Sequence, residues 1–177
     1  MTVNISKPTI NIREKLSELD FAKVPFQKMP SGSVLQVVQT VKTDSFGTSS
    51  STSYTDITGL SVSITPTSSS NKVLVLCTVG FSNTSDALLQ LLRDSTVIGS
   101  STVGTGANRG FAFLSTAISG SLPLCINYLD SPSTTSATTY KVQGRVFDGG
   151  QSFSINRRTG DTIFGGSSTI TAMEIAG

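Results

Sequence analysis

The chain has 177 residues, a length that suits one domain with a short appendage. Only 14% of its residues are charged, the net charge is +2, and there is neither His nor Trp. That balance offers no basic stripe for nucleic acid, and the missing imidazole removes Ser–His and Cys–His dyads and His-ligated metal sites.

Residues 1–32 read as an arm. "MTVNISKPTI" should be extended, because Pro8 opposes helix at the residue before it. It contains no apolar core of a signal peptide, so the protein is expected to be soluble. "NIREKLSELDFAKV" predicts a helix near 11–23: Asn11 can cap it, and Glu14 three residues later completes a capping box. Ile12, Leu16 and Leu19 share one face of that helix, and with Phe21 they are the residues expected to dock the arm on a partner. So short an apolar face is marginal alone in water and needs something to pack on.

Residues 33–177 change texture. "YTDITGLSVSITP" alternates, with Leu60, Val62 and Ile64 on one face and Ser61, Ser63 and Thr65 on the other. "NKVLVLCTVGF" is apolar almost throughout, as a strand covered on both faces would be. "VLQVVQTVKT", "DALLQLLRD", "STVIGSS", "RGFAFLSTAISG", "LPLCINYLD", "TTYKVQGRVF", "QSFSINRR" and "STITAMEIAG" supply further short strands. Turn clusters separate them, among them "FGTSSSTS", "VGTGANRG", "DSPSTTS" and "RTGDTIFGGSS". The pattern predicts an all-β fold, an antiparallel β-sandwich of jelly-roll type. The hairpin tip Arg93-Asp94 is expected to be solvated.

Chemistry is sparse. Cys77 and Cys125 each sit in an apolar run and read as two thiols rather than a disulfide. They lack zinc spacing, and no phosphate-binding glycine loop opens a helix, so no metal and no cofactor is expected. Most aspartates fall in predicted turns, and a glycosidase carboxylate pair would lack Trp platforms. No catalytic residue and no enzyme activity is expected. No apolar run approaches the roughly 20 residues that span a bilayer, so membrane insertion is not expected either.

Taken in order, "GSVLQVVQTVKTDSF", "SYTDITGLSVSITPTSSSNKVLVLCTV", "LLRDSTVIGSS", "INYLDSPSTTSATTYKVQGRV", "SFSINRR" and "STITAMEI" resemble virion proteins of tailed bacteriophages, especially phages of cyanobacteria and other aquatic bacteria. The resemblance covers roughly residues 32–177 and rests on the order of the blocks. It implies a tail-fibre or surface-knob head, packed as a homotrimer and displayed on the virion after assembly in the host cytoplasm. No collagen-like repeat or long shaft accompanies it. The implied partners are further copies of the chain, other virion proteins of tail, neck or capsid, and a host cell-surface glycan. The implied role is a short trimeric fibre or fibre tip in host attachment, or alternatively a capsid decoration knob. "VLVLCTVGF" and "GFAFLSTAI" are the strands whose second apolar face would need a neighbour. Recognition is expected on distal loops: Thr105, Asn108 and Arg109, the segment 131–136, and Arg157 and Arg158 with the turn up to Asp161.

Overall fold

The structure, a computed structural model, describes residues 29–49 and 52–177. The expected helix near 11–23, with Ile12, Leu16, Leu19 and Phe21, lies outside them. Eleven strands follow in chain order: β1 (Val34–Lys42), β2 (Phe46–Ser49), β3 (Thr55–Ile64), β4 (Lys72–Asn83), β5 (Ala87–Arg93), β6 (Thr96–Ile98), β7 (Ala112–Leu114), β8 (Ile118–Asp130), β9 (Thr138–Val146), β10 (Ser152–Ile155) and β11 (Ser168–Ile175). All pairings between them are antiparallel.

Two sheets result. Sheet I has the order β1–β11–β4–β8, and sheet II the order β3–β9–β5 with β6 and β7 on the outer edge of β5. The remaining strands of sheet I are continuations. β4 carries β8 along one edge, while its other edge pairs with β11 over residues 72–78 and with β10 over 81–83. β10 and β11 are thus one strand position interrupted by residues 156–167. β2, paired with β10, continues β1 in the same way. Counting each interrupted strand once leaves eight positions, four per sheet, with the chain crossing repeatedly between sheets. That is the jelly roll, a way of closing an antiparallel sandwich with few exposed edges.

The sandwich core follows from the alternation. Leu60, Val62 and Ile64 of β3, Val73, Val75, Cys77, Val79 and Phe81 of β4, Leu89 and Leu91 of β5, and Tyr140, Val142 and Val146 of β9 are all buried. Phe153 is its aromatic centre, stacked on Phe81 at 5.4 Å and tilted against Phe46 at 6.0 Å. Sheet II passes over that ring at Gly144, where a Cβ would lie 2.7 Å from Phe153 Cζ. Only glycine permits this approach.

β2 had the composition of a turn. Phe46-Gly47-Thr48 is extended because β10 offers it a ladder, and Phe46 contributes to the core. "GFAFLSTAI" is strand over Ala112–Leu114 and again at Ile118, where β8 begins; the rest is connection. Arg93 is also unlike its expectation. It is half-buried, its Nη1 donates to both carboxylate oxygens of Asp130 at 3.0 and 2.9 Å, and Tyr140 Oη donates to the same carboxylate at 2.8 Å. Burial first, and then the bond to Asp130, push the Tyr140 phenol up. Asp94 turns the hairpin at φ 54°, and its Oδ1 accepts the backbone N–H of Thr139 at 2.9 Å.

Glu174 is fully buried, and among the described residues it has no cationic partner. Burial alone would raise its pKa. Donors from Asn71 Nδ2 (2.6 Å), Gln36 Nε2 (2.6 Å), and the N–H (2.6 Å) and hydroxyl (2.8 Å) of Thr67 outweigh that and hold it below the usual carboxylate range. These residues tie the start of β1, the β3–β4 loop and the end of β11 together. The chain enters the head at the same end, where Gly32 N–H donates to Ala176 O at 2.8 Å.

Candidate functional site

The outward side of sheet I is the candidate site, and its composition follows from register. Antiparallel partners point to the same side, and the inner side is set by Val73, Val75, Cys77 and Val79. The outer side therefore opens at the arm end with Val34–Ile175–Lys72, where Lys72 is an exposed cation, and continues in three uncharged full rows across β1, β11, β4 and β8. They are Val37–Met173–Leu74–Leu129, Gln39–Thr171–Leu76–Asn127, and Val41–Thr169–Thr78–Cys125. None of these side chains is charged. Val37, Val41 and Leu129 are 53%, 51% and 50% exposed, and Leu74, Leu76 and Met173 are half-buried beside them. The polar members are short amides, hydroxyls and a thiol, and Gln39 Nε2 donates to Thr171 Oγ1 at 2.8 Å. A contiguous apolar strip of this kind marks an interaction surface more often than a solvated one.

Cys125 stands on that outer side opposite Thr78, whereas Cys77 points inward opposite Ile126. The two thiols are free and on opposite faces of the sheet. Burial, and next the neighbouring Cys125, push the Cys77 thiol up to about 12.

The rows end where residues 156–167 leave the sheet. Beneath that excursion the residues are small: Gly80, Ser82, Ser154 and Gly47. Asn156 forms its neck at φ 61°. Its Nδ2 donates to the carbonyls of Lys42 (2.8 Å) and Asp44 (3.0 Å), its Oδ1 accepts Ser168 Oγ (2.5 Å), and its carbonyl accepts Gly166 N–H (2.9 Å). Ile163 and Phe164, at 76% and 62% exposed, form the outer part of the loop.

The expected recognition residues do not converge. Thr105, Asn108 and Arg109 lie in the β6–β7 loop on the flank of sheet II, which closes on itself: Arg109 Nε donates to Gly104 O at 2.9 Å, and Asn108 N–H to Thr105 O at 3.0 Å. Beside this loop is an apolar cleft of about 320 Å³, lined in part by Leu88, Val103, Phe113 and Phe147. Segment 131–136 lies at the arm end, where Arg93 Nη1 donates to Ser131 O at 3.3 Å. Arg157 and Arg158 lie in the 156–167 excursion, away from both. Arg158 pairs with Asp161 and sits 5.2 Å above the Phe164 ring, so its charge is already engaged. The outer rows of sheet I were visible in sequence only through the doubled apolar pattern of "VLVLC". Their partners from β1, β8 and β11 depend on long-range register.

No protein-family model matches this chain, and no curated protein matches it. Among solved structures it is similar to that of infectious bursal disease virus Gx strain, with 13% identity over 82% of this chain and 43% of that one, at a TM-score of 0.39. It is also similar to the infectious bursal disease virus VP2 subviral particle, with 16% identity over 80% of this chain and 38% of that one, at a TM-score of 0.32. The chain thus spans less than half the length of either. Both superpositions are loose, and neither defines what this chain binds. Among the described residues, no group of three His, Cys, Asp or Glu side chains could hold a metal ion.

Proposed function

We propose that this chain is a structural protein of a tailed-bacteriophage virion. In this reading it is a short tail-fibre or fibre-tip head that associates as a homotrimer through the outer side of sheet I. Residues 1–32 dock it to other virion proteins, and the free end of the head contributes to attachment to the host surface. The observation that carries the reading is the three uncharged rows on the outer face of sheet I, bounded by Lys72 at the arm end, where Val37, Val41 and Leu129 are each about half exposed. Covering such a strip against copies of itself removes apolar area from water at roughly 25 cal/mol per Å². The ordered sequence blocks shared with virion heads supply the virion context. The jelly roll is an architecture that viral capsid and lectin domains share.

Deletion of residues 1–28 tests the docking arm. The truncated protein should fold with the same β-rich circular dichroism and fail to join particles, while labelled full-length protein is imaged on the tail. Normal incorporation of the truncation would refute the arm's role. Label on the capsid shell would replace the fibre assignment with the decoration role.

A further inference from the structure

We propose that Arg157 and Thr159 form an anion-recognition site for the carboxylate of an acidic sugar, at the end of the head away from the arm. The excursion that carries them is held at its neck by Asn156, and the carbonyl of Arg157 itself accepts Ser82 Oγ at 2.9 Å. Its guanidinium then lies close against β2, at Gly47, where β2 has no side chain. A Cβ on Gly47 would come within 2.6 Å of Arg157 Nη2. The backbone is held at its neck and the floor is cleared, so the fold leaves room for the guanidinium at this place.

Its donors are unanswered. Arg157 Nε and Thr159 Oγ1 are buried and have no hydrogen-bond partner. Among the described residues no carboxylate forms an ion pair with Arg157, although neighbouring Arg158 has Asp161 and Arg93 has Asp130. Asp161 is close enough to feel the charge of Arg157, but its oxygens already accept Arg158 and Ile163 N–H. A buried donor without an acceptor costs about 1–3 kcal/mol, more for a charged group, and buried polar atoms in native proteins are nearly always satisfied. A ligand oxyanion, admitted by a small outward turn of the Arg157 and Thr159 side chains, supplies what both groups lack.

The surroundings narrow the ligand. The cleft has a volume of about 380 Å³, and Thr48, Ser152, Ser154 and Gly160 line it with the two donors. There is no acidic side chain in that lining to repel an anion. A planar guanidinium matches a carboxylate in bidentate geometry. The hydroxyls beside it match the hydroxyls of a pyranose ring. The size is near the lower bound of small-ligand sites, roughly 300–1,000 Å³, which favours a single sugar unit over an extended chain. The site belongs to the 156–167 excursion and to β2, whereas the chain enters the head beside Ala176, at the opposite end of sheet I. A head anchored by its arm would therefore present this cleft outward.

Titration of the full-length protein with galacturonate, followed by NMR at the Arg157 Nε–H and the Thr159 amide, tests the site directly. Galacturonate should shift both resonances saturably, and galactose and acetate at the same concentrations should bind at least tenfold more weakly. Arg157→Gln and Thr159→Val should each weaken galacturonate at least tenfold without lowering Tm, and Arg158→Gln should bind as the wild type does. Gly47→Ala, which fills the floor, should also weaken it. Equal binding of galactose would overturn the carboxylate role of Arg157. Equal binding of acetate would overturn the sugar assignment, and an undiminished response in Arg157→Gln would overturn the site.

Discussion

The two outward faces of this sandwich are built from the same alternating strands and treat their apolar residues in opposite ways. On sheet II, Leu88 stands across from Arg145 and Leu92 across from Lys141, and both leucines are buried, at 8% and 5% exposed. Lys141 covers apolar surface with its stem while its head reaches water, whereas Arg145 is itself buried, at 6% exposed. The heads are engaged: Lys141 Nζ pairs with Asp56 at 2.8 Å, Gln143 Nε2 donates to Asp56 at 2.6 Å, and Arg145 lies 5.8 Å over the Tyr54 ring. On sheet I no long charged side chain covers Val37, Val41 or Leu129, and they stay half exposed. One face carries its own cover. The other has the composition of a surface that another molecule covers, and the trimer proposed for this head would supply it.

The largest effect should come from charging the bare face. Val37→Glu combined with Leu129→Glu places carboxylates in its first row, and sedimentation should show complete conversion of the assembly to monomers with an intact β spectrum. Ser63→Glu on sheet II should leave the assembled mass unchanged. Equal sensitivity of the two faces would erase the distinction between them.

Phe153→Ala removes the ring that both sheets share and should cost about 3–5 kcal/mol in urea unfolding, whatever the oligomeric state. A loss below about 1 kcal/mol would mean that Phe81 and Phe46 repack around the space.

Glu174 is a third point of difference, because sheet I holds this carboxylate on its inner side, whereas Lys141 and Arg145 of β9 stand on the outer side of sheet II. Its folded pKa lies below the unfolded value. Its stabilisation is therefore present above the unfolded carboxylate pKa of about 4.3 and is lost as pH falls through the folded value. Glu174→Gln should cost about 1–3 kcal/mol at pH 7, since an amide N–H₂ would face the donors that now surround a carboxylate. It should also flatten the acid limb of stability measured between pH 5 and 2. An unchanged acid limb in the variant would remove Glu174 from the acid response.

The smallest effect should be at Asp56. Lys141 and then Gln143 hold its carboxyl below the usual range, but the pair is solvated, so Asp56→Asn should cost no more than about 1 kcal/mol and less in high salt. A larger, salt-independent loss would show that the cover on sheet II depends on this pair.

Much of the fold was legible in the sequence, because alternation in "LSVSI" and doubled apolarity in "VLVLC" report a strand's surroundings locally. Leu60, Val62 and Ile64 are buried as read, and Leu74 and Leu76 occupy the second apolar side of β4. What stayed hidden depends on partners distant in the chain. Phe46-Gly47-Thr48 is a strand only because residues 152–155 pair with it. Arg93 is not a solvated tip because Asp130, 37 residues away, receives it. The residues expected to recognise a host lie in connections, and Arg109 and Arg158 spend donors on their own loops. Arg157 differs from them because Gly47 clears its floor, a relation that no spacing within "NRRTGD" reveals.

The central claim is that the three uncharged rows on the outer side of sheet I are covered by copies of the same chain. Sedimentation equilibrium of the full-length protein at micromolar concentration tests it most directly. The account predicts a mass three times 18.5 kDa that falls to one chain in Val37→Glu with Leu129→Glu. A wild-type protein that sediments as a stable monomer would contradict it.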